Sequence, residues 1–137
     1  MKQIVRFGVS LEKELLRRFD ALLGEKKYPN RSEAIRDLIR ENLVKSEWTK
    51  GEKVAGVITL VYDHHKRELV NTLTDVQHHY HSLIISTQHI HLDEDNCLEV
   101  VVVKGKPKAA EGLANRLKAT KGVKHSSLIM STIGKHV

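Results

Sequence analysis

The stretch TQHIHLDEDNCLEVVVVKG, residues 87–105, gathers the side chains best suited to chemistry: His89, His91 and the chain's only cysteine, Cys97. Alternate side chains of a strand share a face, so the two imidazoles project together. A hairpin turning around Glu94 sets His91 opposite Cys97 and His89 opposite Glu99, with facing Cβ atoms about 5 Å apart. Imidazole and thiolate suit zinc, copper or nickel, whereas calcium and magnesium prefer oxygen. Glu99 is then placed to orient a ligating histidine from behind. The same residues also have an ordinary reading, as solvent-facing hairpin histidines and a small buried apolar cysteine. A fourth donor can come from QHHYH, residues 77–81, through His78, His79 or His81. Cationic histidines at a helix C-terminus also simply answer the dipole. A tetrahedral set points to zinc and a planar one to nickel(II) or copper(II), and the residues by themselves do not choose.

The elements that must carry this patch lie in the second half of the chain, which alternates. VAGVITLVY (54–62) reads as a strand, 66–77 as a helix with Leu69, Val70, Leu73 and Val76 on one side, and SLIISTQHIHL (82–92) as a strand. DEDN supplies turn chemistry before the β-branched run CLEVVVVKG, Pro107 opens a helix, and 123–132 closes as a strand. The order β-α-β-β-α-β predicts a ferredoxin-like α+β sandwich.

The first half is different. Ile4, Val5, Phe7, Val9 and Leu11 suggest a short alternating strand, with Arg6, Gly8 and Ser10 on its other face. Ser10 is placed to cap a helix over about 11–23 that Gly24 can stop. Asn30 and Glu33 form a capping-box pattern before a second helix striped by Ile35, Leu38, Ile39 and Leu43. Strand, helix, helix in about 47 residues is too little for a core, and the lone strand calls for a second chain. The expected boundaries are a domain over 1–47, a polar linker over 48–53 and a second domain over 54–137. Two such strands paired across a dimer axis form a ribbon that fits the major groove of DNA. Arg6, Gly8 and Ser10 would face the bases, with Arg6 suited to guanine. Asn30, Arg31 and the amides of the second helix would clamp a phosphate. Lys66 and Arg67, in a polar turn, could touch the DNA backbone.

Across 137 residues the net charge is +6, which suits nucleic acid and equally a solvated lysine-rich surface. A single cysteine excludes an internal disulfide framework, and a reducing, cytoplasmic setting is expected. No apolar run approaches the ~18 residues of a membrane span.

These motifs together resemble the nickel-responsive transcriptional regulator family: NRSEAIRDLIR (30–40), QHHYH, HIHLDEDNCLEVVVVKG (89–105) and GVKH (122–125), with eleven residues from His78 to His89 and six from His91 to Cys97. The resemblance implies an N-terminal ribbon-helix-helix DNA-binding domain and a C-terminal ACT-type domain. It further implies a homotetramer built as a dimer of dimers, binding one Ni(2+) per subunit at high affinity in a planar site. His89, His91 and Cys97 would come from one chain and His78 from its neighbour, with Gln77 and Glu99 supporting them. Glu33 and Asp37 match the carboxylates of a lower-affinity cation site. Gly8 stands where relatives can carry a polar side chain, so one base contact is absent. The expected function is a nickel-dependent repressor that binds double-stranded operator DNA when metal-loaded, and not an enzyme. Its rivals are a repressor answering copper, zinc or a small metabolite at the ACT-type interface, and a zinc enzyme with Glu99 as base. The last lacks any sign of a lid or substrate loop.

Overall fold

The computed structural model describes residues 2–137. The chain divides into two compact units, one running to Arg40 and the other Glu41–Val137. Among the described residues no helix is long and apolar enough to cross a membrane.

The first unit holds α1 (Lys13–Glu25) and the opening of α2 (Arg31–Lys50). Residues 2–12 form no hydrogen-bonded strand within this chain, because the unit contains no second strand to pair with. Helix α1 begins two residues later than the periodicity suggests. Glu12, not Ser10, takes the capping position, in extended backbone and without a side-chain hydrogen bond, and its carbonyl accepts the first helical bond from Leu16 at 3.0 Å. The helix also overruns Gly24. Lys27 is the residue that adopts the left-handed conformation, φ 59°, and the amide of Tyr28 then closes onto the carbonyl of Leu23 at 3.0 Å.

At the start of α2 the Asn30 Oδ1 accepts the Glu33 amide at 2.9 Å. The capping box is only half formed, since the Glu33 carboxylate pairs with Arg36 instead of reaching back. Helix α2 runs through Lys50, so the first part of the segment read as a linker (48–53) is helical. Trp48 explains this: it is buried in the core of the second unit, and an indole so placed keeps its turn of helix from fraying. Gly51, at φ +78°, ends the helix as the amide of Glu52 returns to the carbonyl of Glu47 at 3.1 Å.

The second unit continues with β1 (Val54–Asp63), α3 (Arg67–His79), β2 (Ile84–His91), β3 (Asn96–Gly105), α4 (Pro107–Ala119) and β4 (Val123–Met130). All pairings are antiparallel in the order β2-β3-β1-β4, the ferredoxin-like arrangement. Ile58, Leu60, Val101 and Val103 of the central strands meet Leu69 and Leu73 of α3 and Leu113 and Leu117 of α4 in the core. Register then fixes the other face. Row by row it carries Ile90, Leu98 and Val61, then Gln88, Val100 and Thr59, then Ser86, Val102, Val57 and Ile129.

Leu113 is fully buried, and replacing it with alanine removes apolar contact that the helix layer cannot easily close over. Leu113→Ala is expected to lower unfolding free energy by about 2–5 kcal/mol, read from urea-induced unfolding. A loss below about 1 kcal/mol would contradict this core assignment.

Candidate metal centre

The hairpin forms in the register that the residue spacing suggests. His91 pairs with Cys97 and His89 with Glu99, and on the next strand Tyr62 pairs with Cys97. The turn is built by Asp93, whose Oδ1 accepts the amides of Asp95 at 2.9 Å and Asn96 at 2.7 Å. Those bonds, that from the Asn96 amide first, hold the Asp93 carboxyl below the usual carboxylate range.

Behind the histidines lies a buried carboxylate. The Glu99 side chain is only 2% exposed, while that of His89 is 57% exposed. Burying a carboxylate is costly unless its oxygens are satisfied, and here three neighbours share the task. Tyr62 donates its hydroxyl to Oε1 at 2.9 Å, Gln77 donates its amide to Oε2, and His89 Nδ1 stands 3.0 Å from Oε1. Burial first, and then the bond to Glu99, pushes the Tyr62 hydroxyl far above the ordinary tyrosine range, so it keeps the proton that it donates to the carboxylate. A proton on His89 Nδ1 meets Glu99 and leaves the Nε2 lone pair outward, the arrangement a metal-binding imidazole needs.

The donors lie in adjacent rows but do not converge. His91 stacks edge-on against His64, ring centres 4.8 Å apart, and Cys97 is buried. Among the described residues of one chain, no group of three His, Cys, Asp or Glu side chains is placed to hold an ion. Position on the helix explains why His78 stays apart. Gln77 is turned onto its own hairpin through Glu99, and the next residue of an α-helix points about 100° away. His78 is accordingly exposed, with its carbonyl accepting from His81 Nδ1 at 3.1 Å. His79 is exposed beside Tyr80.

Two participants escape the sequence reading. Tyr62 carries no signal beyond lying on a strand, since only the sheet order brings β1 beside β3. His64 and His65 have no spacing that ties them to the hairpin; in the fold their Nε2 atoms lie 3.0 and 2.8 Å from the carbonyl of Glu94, so they grip the hairpin turn.

The remaining positions separate. Arg6, Gly8 and Ser10 are exposed on the segment before α1. Arg31 forms a two-pronged pair with Asp20 at 2.9 and 2.8 Å, which raises the guanidinium and lowers the carboxyl. Asn30 spends its Oδ1 on the helix cap. Glu33 is engaged by Arg36, and Asp37 accepts from the Tyr28 hydroxyl at 2.7 Å. Lys66 occupies the N-cap of α3 and Arg67 its first position, rather than a free turn.

Residues 55–131 match the family described as the NikR C terminal nickel binding domain, and residues 5–46 match the ribbon-helix-helix protein, copG family. A protein of Syntrophus aciditrophicus is 58% identical over 135 residues, 98% of each chain. One of Pyrococcus furiosus is 54% identical over 135 residues, again 98% of each. One of Chlorobium limicola is 53% identical over 134 residues, 98% of this chain and 100% of its own. All three are provisionally named nickel-responsive regulators. Among solved structures, an uncharacterized protein from Thermotoga maritima superposes with a TM-score of 0.52 at 16% identity, covering 57% of this chain and 96% of that one; it shares the fold.

Two outcomes follow for the hairpin. Tyr62→Phe deletes one donor to a buried carboxylate and is expected to cost about 1–3 kcal/mol of unfolding free energy; an unchanged urea midpoint would show that Glu99 does not depend on it. The depressed Asp93 carboxyl stabilises the turn above the unfolded carboxylate value of about 3.9, and that contribution is lost as pH falls through the lower folded value. Amide exchange at Asp95 and Asn96, corrected for intrinsic rates, should quicken on acidification through that range. In Asp93→Asn the quickening should be absent.

Proposed function

The chain belongs to the nickel-responsive regulator family, and from that footing we propose that it is a nickel-dependent repressor, binding operator DNA in its metal-loaded form. His89, His91 and Cys97 of one subunit and His78 of a neighbour would hold one Ni(2+) per subunit. Bound nickel would supply a Lewis-acidic centre that imidazole and thiolate donors satisfy together. Glu99, fixed by Tyr62 and Gln77, keeps the His89 ring in the orientation a ligand requires. The observation that carries the reading is the pairing of His91 with Cys97 and His89 with Glu99, inside the region that matches the nickel-binding domain. Gln77 facing its own hairpin while His78 faces away supports a ligand shared between chains.

Unfilled apolar surface supports the rest of the assembly. Ile4, Val5, Phe7 and Val9 are 60–81% exposed, and Leu15, Leu38 and Ile39 are also exposed. A two-stranded ribbon over a second copy of α1 and α2 would cover them. The uncovered sheet face, with Ile90 and Ile129 exposed, offers a second interface and hence a dimer of dimers. In the ribbon Arg6, Gly8 and Ser10 would turn to base edges. Asn30, Arg31, Lys66 and Arg67 would contact phosphates, Arg31 by exchanging Asp20 for DNA. Glu33 and Asp37 would take a further cation only by giving up Arg36 and Tyr28. Because an effector shifts an equilibrium only through differential affinity, the nickel-bound arrangement must bind operator better than the metal-free one.

Gel-shift titration of the full chain on fragments of its genomic DNA, at fixed salt because phosphate contacts make affinity steeply salt-dependent, tests this. Nickel is expected to tighten binding at least about tenfold. His89→Ala is expected to abolish both that gain and the thiolate-to-nickel absorption band. Equal tightening by zinc or copper, or a response to an amino acid without nickel, would overturn the assignment.

A further inference from the structure

The chain beyond β4 returns to α2. Ser131 donates its amide to the carbonyl of Ala55 at 2.9 Å and accepts the Trp48 indole N–H on its own carbonyl at 2.8 Å. Thr132 donates its hydroxyl to the Glu47 carboxylate, 2.9 Å from Oε1 and 3.3 Å from Oε2, and its oxygen accepts the Gly134 amide at 3.1 Å. Glu47 is one of three buried polar residues among the described residues, at 5% exposure. Val44, Glu47 and Trp48 lie at helical spacing on one stripe of α2, and Val44 and Trp48 both join the hydrophobic core. Gly56 of β1 leaves room for the indole: a Cβ there would lie 3.3 Å from two ring atoms and 3.2 Å from the carbonyl of Ile129.

We propose that the tail at Ser131–Thr132 and the pair Glu47–Trp48 form a clasp that fastens the C-terminal end of α2 to the metal-binding fold, and that Glu47, Trp48 and Thr132 are positioning residues for the nickel response. This rests on the repressor reading above. Strand β1 touches both ends of the device: Tyr62 holds Glu99 behind the histidines, and Ala55 and Gly56 hold the tail and the indole, about 20 Å away at strand spacing. The segment Glu41–Lys50 therefore moves as part of the second unit, and a change of sheet arrangement on metal binding is delivered directly into α2. The residues 48–53 do not act as a free tether.

Hydrogen exchange and gel shifts on the 137-residue chain test both parts. Thr132→Val leaves the buried Glu47 without its donor, and Trp48→Phe removes the indole N–H while keeping an aromatic ring. Each is expected to speed exchange at residues 44–50 by about tenfold and to cut the nickel-induced gain in operator affinity by about fivefold or more, while one nickel per chain is still taken up. Glu47→Gln keeps an oxygen that accepts from Thr132 and should match the wild type. Unchanged exchange in both disruptive variants overturns the clasp. Faster exchange with an undiminished nickel gain overturns its role in signalling. A wild-type chain whose operator binding ignores nickel overturns the repressor reading and the signalling role together, whereas the exchange data still decide the clasp.

Discussion

Register is the constraint on which the rest of this molecule depends. Side chains of a strand alternate, so slipping β2 by one residue against β3 would exchange its two faces. His89 and His91 would then lie beside Val100 and Leu98, and Ile90 and Leu92 would be set against Glu99 and Cys97. Turn chemistry at Asp93 and the grip of His64 and His65 on the Glu94 carbonyl hold the correct alternative. The buried Glu99 adds a penalty against the slip, because its oxygens are satisfied only where Tyr62, Gln77 and His89 can reach them. A buried carboxylate without such partners is expensive enough to select against a whole arrangement.

The two units answer different burial problems. In the second, two helices cover one side of a four-stranded sheet, and a connected core results. In the first, Leu23 and Ala34 are the hydrophobic residues that become buried among the described residues. The remaining apolar side chains of the arm and of α1 stay in contact with water. Residues 2–12 thus have sequence alternation without a ladder, since a strand is stabilised by a neighbour and this chain supplies none.

Helix α2 belongs to both units in sequence, and its composition shows it. Its first half carries the Asn30 cap and the pairs around Arg31 and Glu33, all near solvent. Its last turns carry Trp48 and Glu47, which are enclosed by β1 and the returning tail. Polar, glycine-containing composition suggested a linker over 48–53, yet one buried indole outweighs several polar neighbours in deciding where a helix stops.

By itself the sequence determined the periodic features: four strands and two helices in ferredoxin order, the Pro107 helix start, the Asn30 cap, and the facing of His91 with Cys97 and His89 with Glu99. Each of these depends on near neighbours or on a short turn, where spacing translates directly into geometry. Helix ends were less legible, because Glu12 and Lys27 took positions that Ser10 and Gly24 are better suited to, and no local preference is strong enough to forbid that. Only the tertiary structure decided that Tyr62 stands behind the histidines, that His64 and His65 hold the turn, and that Ser131 and Thr132 close on Glu47 and Trp48. Those contacts join residues 27 to 85 positions apart, and a one-dimensional pattern cannot show which distant segments the packing of the core will bring together.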